Sequence, residues 1–443
     1  MKSMNMKRKI ESLSGLQQEF IEFEHEIRKN KKNKKRERNE PYDSKEELFD
    51  KIKVASSGTF VSLEEEEVST FDGKKLYSYH PKVYEVFQMT DTNKDTDTNT
   101  NTGVRSVGVD IGTGFISCAE QEGGNIKFRK IRDAFFKLNP SKFLEGSANK
   151  FGESMLKNAG AHYVKVDDEL FVLGDDAFKF ANLFHQECLR PMSKGVLNPK
   201  QPVSNLMVSE LVKAVAGRPV GSDDVLYYCV PAEPIDADFD VEYHKQILGG
   251  VFEELGYKEI NVMTEGLAII YSELADTQYT GIGMSFGAGM CNIVYSFMGI
   301  PVFAFSLSRG GDWIDEHAAK HTDETHNVVT AVKEKADFSL YDSTNGIQRA
   351  ISIYYESLLS YVVEQFKELY ENTPRKKLPN VTMEMPIIVA GGTSLVLGFV
   401  ERLRELIDED FPIPISEVRH AKEPLFAVSN GLYEAARLSA SNS

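Results

Sequence analysis

Three apolar runs in this chain each end in a glycine-rich turn, and their order constrains the fold more than any other feature. The first is Arg105-Ser106-Val107-Gly108-Val109 running into Asp110-Ile111-Gly112-Thr113-Gly114. The second is Gly281-Ile282-Gly283-Met284-Ser285-Phe286-Gly287-Ala288-Gly289, followed by Met290-Cys291-Asn292-Ile293-Val294-Tyr295. The third is Ile387-Ile388-Val389-Ala390-Gly391-Gly392-Thr393-Ser394. Each reads as a strand entering a turn whose glycines let backbone N–H groups approach an anion that a Cβ would hold away. Two such turns facing each other would clamp a polyphosphate from both sides, and the third could hold a nucleoside. One turn of this kind is weak evidence; three in this order are much stronger.

The remaining bulk properties narrow the class. A chain of 443 residues, 41% of them hydrophobic, has room for two or three domains with sizeable cores. A formal net charge of -16 disfavours nucleic-acid binding through a generic basic surface. Cys118, Cys188, Cys229 and Cys291 lie far apart and form no CxxC pair, which argues against a zinc site or a disulfide framework and fits a reducing compartment. No apolar run approaches the ~20 residues of a membrane span. The N-terminal stretch lacks the apolar core of a signal peptide, so a cytoplasmic protein is expected.

Composition shifts at Asp91-Thr92-Asn93-Lys94-Asp95-Thr96-Asp97-Thr98-Asn99-Thr100-Asn101-Thr102-Gly103, a polar low-complexity segment that reads as a linker. Upstream, Leu13, Leu16, Phe20, Phe23 and Ile27 recur at heptad-like spacing on an expected helix. The basic run Lys29-Asn30-Lys31-Lys32-Asn33-Lys34-Lys35-Arg36-Glu37-Arg38 follows it. Two readings stay open: a solvated basic tail, or a helix that docks on an anionic membrane or a protein partner. A strand or two is expected within 41–90. Downstream, strands are expected at Val225–Pro231 and Ile260–Met263. Helices are expected at Tyr243–Leu255, Glu265–Leu274, Gly311–Lys320, Asn327–Lys335, Gln348–Tyr370 and Gly398–Ile407. That alternation predicts mostly parallel sheets covered by helices.

Five segments, in order, resemble those of the actin-like ATPases, within the superfamily they share with heat-shock chaperone ATPases and sugar kinases. They are the turn at Asp110–Gly114; Val262-Met263-Thr264-Glu265-Gly266-Leu267-Ala268; the turn at Gly287 and Gly289; Val332-Lys333-Glu334-Lys335; and Gly391-Gly392-Thr393. Arg190-Pro191-Met192-Ser193-Lys194-Gly195-Val196 and Arg309-Gly310-Gly311-Asp312-Trp313-Ile314-Asp315 are similar to stretches of the MreB-like prokaryotic actins. The resemblance implies an α/β fold with two related lobes around a nucleotide cleft. It divides the chain into an N-terminal extension at 1–90, a linker at 91–103, a first lobe at 104–230, a second lobe at 231–425 and a C-terminal helix at 426–443 returning to the first lobe.

The same resemblance implies roles for particular residues. Asp110 would sit near Mg2+, and Gly112, Thr113, Gly114, Ser285, Gly287 and Gly289 would hold the phosphates of ATP. Glu265 would position the attacking water, and with Asp110 it forms the implied catalytic pair. Lys333, Glu334, Gly391, Gly392 and Thr393 would surround the nucleoside. Self-association into filaments is the implied partner relationship. The main departure from the pattern is Ser285, where the family has a second Asp: a hydroxyl brings no negative charge to the metal, so slow hydrolysis is expected. A nucleotide-sensing scaffold without hydrolysis is the alternative. A chaperone reading lacks room after Gly391 for a peptide-binding domain, and a sugar-kinase reading lacks a placed catalytic acid beyond Glu265.

Overall fold

The computed structural model describes the backbone of residues 64–71, 74–80 and 85–89, and residues 104–442 apart from short gaps at 123, 140–147, 185, 199–202, 240, 380–382 and 408–409. The heptad-like stripe, the basic run and the linker lie outside the described residues.

Two sheets repeat one plan. In the first lobe, β4 (Ser106–Ile111), β5 (Phe115–Glu122) and β6 (Asn125–Arg132) form an antiparallel meander, and β12 (Val225–Val230) then β13 (Glu259–Thr264) add in parallel on the far side of β4, so the first lobe runs past the boundary expected at residue 230 because ladder pairing carries β13 back to β12. In the second lobe, β14 (Gly281–Phe286), β15 (Cys291–Phe297) and β16 (Ile300–Leu307) form the same meander, with β17 (Met385–Ala390) then β18 (Ile415–His420) in parallel beside β14. The sheets are therefore mixed rather than mostly parallel. The correction has a simple cause: the turns at Gly112–Gly114 and Gly287–Gly289 are a few residues long, and a parallel neighbour needs a crossover of about a dozen residues or more.

Strands β1 (Glu64–Phe71) and β2 (Lys74–His80) extend an antiparallel sheet in the order β1-β2-β8-β9-β7, where β7 is Phe135–Leu138, β8 Tyr163–Val166 and β9 Glu169–Leu173. Strand β3 (Glu85–Met89) pairs with β6 at the edge of the first-lobe sheet. Residues 64–89 thus form three strands shared between two sheets. The run Glu64–Glu67 has low strand propensity, and ladder pairing overrides it.

Central strands β14 and β17 are buried at every position, as expected of strands covered on both faces. One face meets α6 (Gly311–Thr322), α8 (Gly346–Asn372) and α9 (Phe399–Leu406) in a large apolar core. Helix α8 buries Ala350, Ile351, Tyr355, Leu358, Leu359, Val362, Val363 and Phe366, a stripe of helical period. Its N-cap Asn345 accepts a 3.0 Å bond from the Gln348 amide. The other helices named here are α1 (Ala148–Ala159), α2 (Gly174–Leu183), α3 (Ser204–Ala216), α4 (Val241–Leu255), α5 (Glu265–Glu273), α7 (His326–Lys333) and α10 (Ala427–Asn442). The helices expected after the linker all form, with ends shifted by one or two residues.

Helices α5 and α10 join the lobes. They follow β13 and β18, equivalent places in the repeated plan. Helix α10 packs on β4, α5 packs on β14, and the two helices pack on each other. Each contact is closed by a missing Cβ. A side chain at Gly108 of β4 would overlap the α10 backbone at Ser429 and Tyr433, one at Gly431 of α10 would overlap the Ala268 carbonyl of α5, and one at Gly283 of β14 would overlap the Gly266 carbonyl. The lobes thus meet through bare backbone along the line β4–α10–α5–β14.

Candidate functional site

In sheets with parallel strands beside antiparallel ones, ligand crevices open beyond the strand carboxyl ends, where the connections diverge. The carboxyl ends of β4, β12, β13, β14 and β17 carry Asp110, Val230, Thr264, Phe286 and Ala390. Asp110, Glu265, Ser285 and the three glycine turns lie at or just beyond these ends.

Asp110 and Glu265 are half-buried carboxylates, close enough for the charge of one to act on the other. The register that sets Tyr228 beside Val109 brings Cys229 next to Asp110, and the Cys229 thiol donates to Asp110 Oδ1 at 3.1 Å. Desolvation pushes the Asp110 carboxyl up, and the Cys229 bond offsets part of that. Desolvation and the Asp110 charge both push Glu265 up, against hydrogen bonds from Ser285 and Asn292. Burial and the two nearby carboxylates push the Cys229 thiol well up, so it stays protonated and able to donate. Asn292, opposite Ser285 across the β14–β15 ladder, accepts the Ala232 amide at 3.1 Å through Oδ1, which turns its NH2 toward Glu265. Cys229 and Asn292 were not singled out for this site in the sequence, because only strand register brings them to it.

The two glycine turns abut. Gly112 N donates to Phe115 O at 3.0 Å and Gly287 N to Met290 O at 2.9 Å, closing each hairpin. Thr113 Oγ1 accepts the Gly195 amide at 2.9 Å, and a Cβ on Gly289 would overlap that hydroxyl. Gly114 faces Ala288 across the same seam. Gly289→Val is expected to part the turns and cost about 1–3 kcal/mol, read as a lower urea midpoint. An unchanged midpoint would mean that the turns already swing apart in solution.

The third turn closes over the second. Gly391 takes a φ of 94°, and a Cβ there would overlap Phe286 O. Thr393 Oγ1 donates to Gly287 O at 2.9 Å. The start of α6 stacks on the same turn, with Gly311 N bonded to Gly287 O at 3.0 Å and Asp312 N to Ala288 O at 2.7 Å. Gly392 borders this turn without such a bond.

Lys333 is enclosed, while Glu334 is exposed to solvent yet paired. Lys333 Nζ donates to Gly311 O at 2.9 Å and to Asp315 Oδ2 at 2.7 Å. Glu334 accepts both guanidinium nitrogens of Arg132, at 3.2 and 3.0 Å, and Arg132 also reaches Asp175 at 3.1 Å. Arg132 and Asp175 belong to the first lobe and Glu334 to the second, so this bidentate pair bridges the lobes. A second bridge joins the two MreB-like segments: Arg190 donates to Thr113 O at 3.3 Å and pairs with Asp312 at 2.9 Å.

A family model described as Volactin matches residues 106–436. Among solved structures, a MamK double helical filament superposes with a TM-score of 0.55 at 18% identity, covering 75% of this chain and 98% of that one. MreB5 of Spiroplasma citri bound to AMPPNP gives 0.54 at 15% identity, covering 76% and 98%. The same protein bound to ADP gives 0.52 at 15% identity, with the same coverages. The fold is therefore that of the actin-like ATPases. No curated protein matches by sequence.

Proposed function

The chain belongs to the Volactin family, and on that premise we propose that it is a nucleotide-binding, self-assembling actin-like protein that hydrolyses ATP slowly. One observation carries this reading: two equivalent glycine hairpins face each other beside a half-buried, largely desolvated Asp110–Glu265 pair whose carboxyls act on each other's charge. Like charges that are desolvated together are costly unless a cation joins them. Among the described residues no Lys, Arg or His is paired with either carboxyl, so the site suits a hard divalent cation. Mg2+, approached through water by Asp110 and Glu265, would supply neutralisation of the polyphosphate charge. The protein's own part is positional. Thr113 and the backbone of both turns hold the phosphates, Glu265 orients water with Ser285 and Asn292 fixing its carboxyl, and the third turn backs the nucleoside. The solved relatives support this reading through their printed states, an assembled filament for MamK and bound AMPPNP and ADP for MreB5. No helix among the described residues is long and apolar enough to cross a membrane. Attachment to an anionic surface would fall to the N-terminal basic segment.

The test is sedimentation and electron microscopy with Mg2+ and ATP, beside ADP and nucleotide-free controls, with phosphate release measured in the same tubes. ATP-dependent filaments and slow release are expected. Tight nucleotide binding without filaments at any salt would replace assembly with the scaffold reading that Ser285 favours. Ser285→Asp sharpens the assay. It adds a third desolvated carboxylate beside Asp110 and Glu265, so the metal-free variant should melt lower than wild type, while its gain from Mg2+–ATP and its turnover should both rise. Unchanged turnover would show that the missing charge does not limit the reaction.

A further inference from the structure

A second cluster lies behind the glycine turns, where α6, α7 and the first lobe meet. Asp312 and Asp315 stand one turn apart on α6, and His326 opens α7. His326 Nε2 lies 3.8 Å from Asp312 Oδ1 and 3.6 Å from Asp315 Oδ2, and one ligand atom from each of the three residues falls within 4.8 Å of the others. These separations approach the edge of about 3.3 Å expected between ligands of a tetrahedral ion with bonds near 2.0–2.1 Å.

Donors already reach both carboxylates, Asp315 through one oxygen and Asp312 through both. Asp315 is fully buried; its Oδ2 accepts from Thr330 Oγ1 at 2.7 Å and from Lys333 at 2.7 Å, while its Oδ1 is buried with no hydrogen-bond partner. Asp312 Oδ2 accepts from Arg190 at 3.1 Å, and Arg190 also lies 2.9 Å from its Oδ1. His326 Nε2 is buried and makes no hydrogen bond. Its orientation is set by the backbone: Thr325 caps α7, and the His326 amide donates to Glu187 Oε1 at 3.2 Å. A buried imidazole nitrogen outside hydrogen-bond range, and an unbonded buried carboxylate oxygen whose partner oxygen is held by Thr330 and Lys333, are features of a prepared ligand set. Lys333 and Arg190 offset the carboxylate charges without bonding that imidazole nitrogen. Asp312 and His326 also line a cleft of about 460 Å³ between the lobes, which provides an entry path and room for a fourth, exchangeable ligand.

We propose that Asp312, Asp315 and His326 form a binding site for a zinc-class divalent cation, separate from the Asp110–Glu265 site and open to the interlobe cleft. An oxygen–imidazole set of this kind suits Zn2+ or Co2+ better than Mg2+, which prefers oxygen alone. Because Arg190 and Glu187 reach these residues from the first lobe, the bound cation would also brace the two lobes.

The experiment uses the full chain, stripped by chelator and free of nucleotide. Co2+ is titrated while visible absorption is followed, and Zn2+ is then added as competitor. One equivalent of Co2+ with tetrahedral bands, displaced by Zn2+, is expected. His326→Ala should weaken binding by about a hundredfold or more and abolish the rise in melting temperature with Zn2+. His317→Ala, on a residue that lines the same cleft outside the cluster, should leave both unchanged. The half-buried position of His326 keeps its variant foldable, and circular dichroism checks that. Absence of stoichiometric binding would overturn the proposal. Binding indifferent to His326→Ala, or lost equally in His317→Ala, would overturn the ligand assignment.

Discussion

Gly431→Val is expected to prevent the two lobes from assembling into a stable native protein. The side chain would overlap the Ala268 carbonyl, and that atom is helix backbone that cannot turn aside. Relief requires α5 and α10 to separate, and α10 is held against β4 by the equally bare contact at Gly108. Both helices belong to one apolar cluster with Ala268, Ile269, Ile270, Val428 and Leu432, so separating them uncovers that core. The cost should reach about 3 kcal/mol or more, with insoluble or protease-sensitive protein as the readout. Gly250 on α4 provides the contrast: nothing lies within 4 Å of its missing Cβ. Gly250→Ala should raise stability by about 0.5–1 kcal/mol through helix propensity alone. A soluble Gly431→Val protein with a wild-type urea midpoint would mean that the α5–α10 contact does not hold the lobes together.

The difference between these two glycines also marks what was legible in the chain. The turns at Gly112–Gly114, Gly287–Gly289 and Gly391–Gly392 could be read because backbone approach excludes other residues, and a steric need of that kind leaves a local signature. Helix α8 could be read because its stripe has a single period. Gly431 sits inside a helix with no turn or breaker around it, so its reason is visible only against Ala268. The Arg190–Asp312 and Arg132–Glu334 bridges join residues far apart in sequence, and Lys333 and Glu334 keep their family-like spacing while their charges are spent on Asp315 and Arg132. A motif fixes where a side chain starts; what it pairs with depends on the other lobe. The mixed sheets were within reach of the sequence, since turns of a few residues require antiparallel neighbours. The alternation of strands and helices further along hid that constraint.

Glu265→Gln is expected to make the ligand-free protein more stable at neutral and alkaline pH while slowing any hydrolysis. Burial and the Asp110 charge raise the folded-state pKa of Glu265 above its ordinary carboxyl value. In the unfolded chain Glu265 loses its proton near pH 4.3. Between those limits the native state binds more protons than the unfolded state, so stability falls as pH rises and stops falling above the folded pKa. The amide removes that loss. The variant and the wild type should match in the acidic carboxyl range and diverge as pH rises, at about 1.4 kcal/mol per unit of raised pKa. The urea midpoint followed to about pH 9 reads this directly. Removing the charge also relaxes Asp110, so some slope should remain in the variant. Mg2+ with nucleotide should act in the opposite sense. A cation offsets the paired charges in the wild type, so the wild type should gain more from ligand than the variant. Phosphate release should fall by about a hundredfold or more in the variant if Glu265 orients the water. Parallel pH profiles for the two proteins would show that Asp110 and Glu265 do not share a desolvated charge, and the case for a cation between them would fail with it.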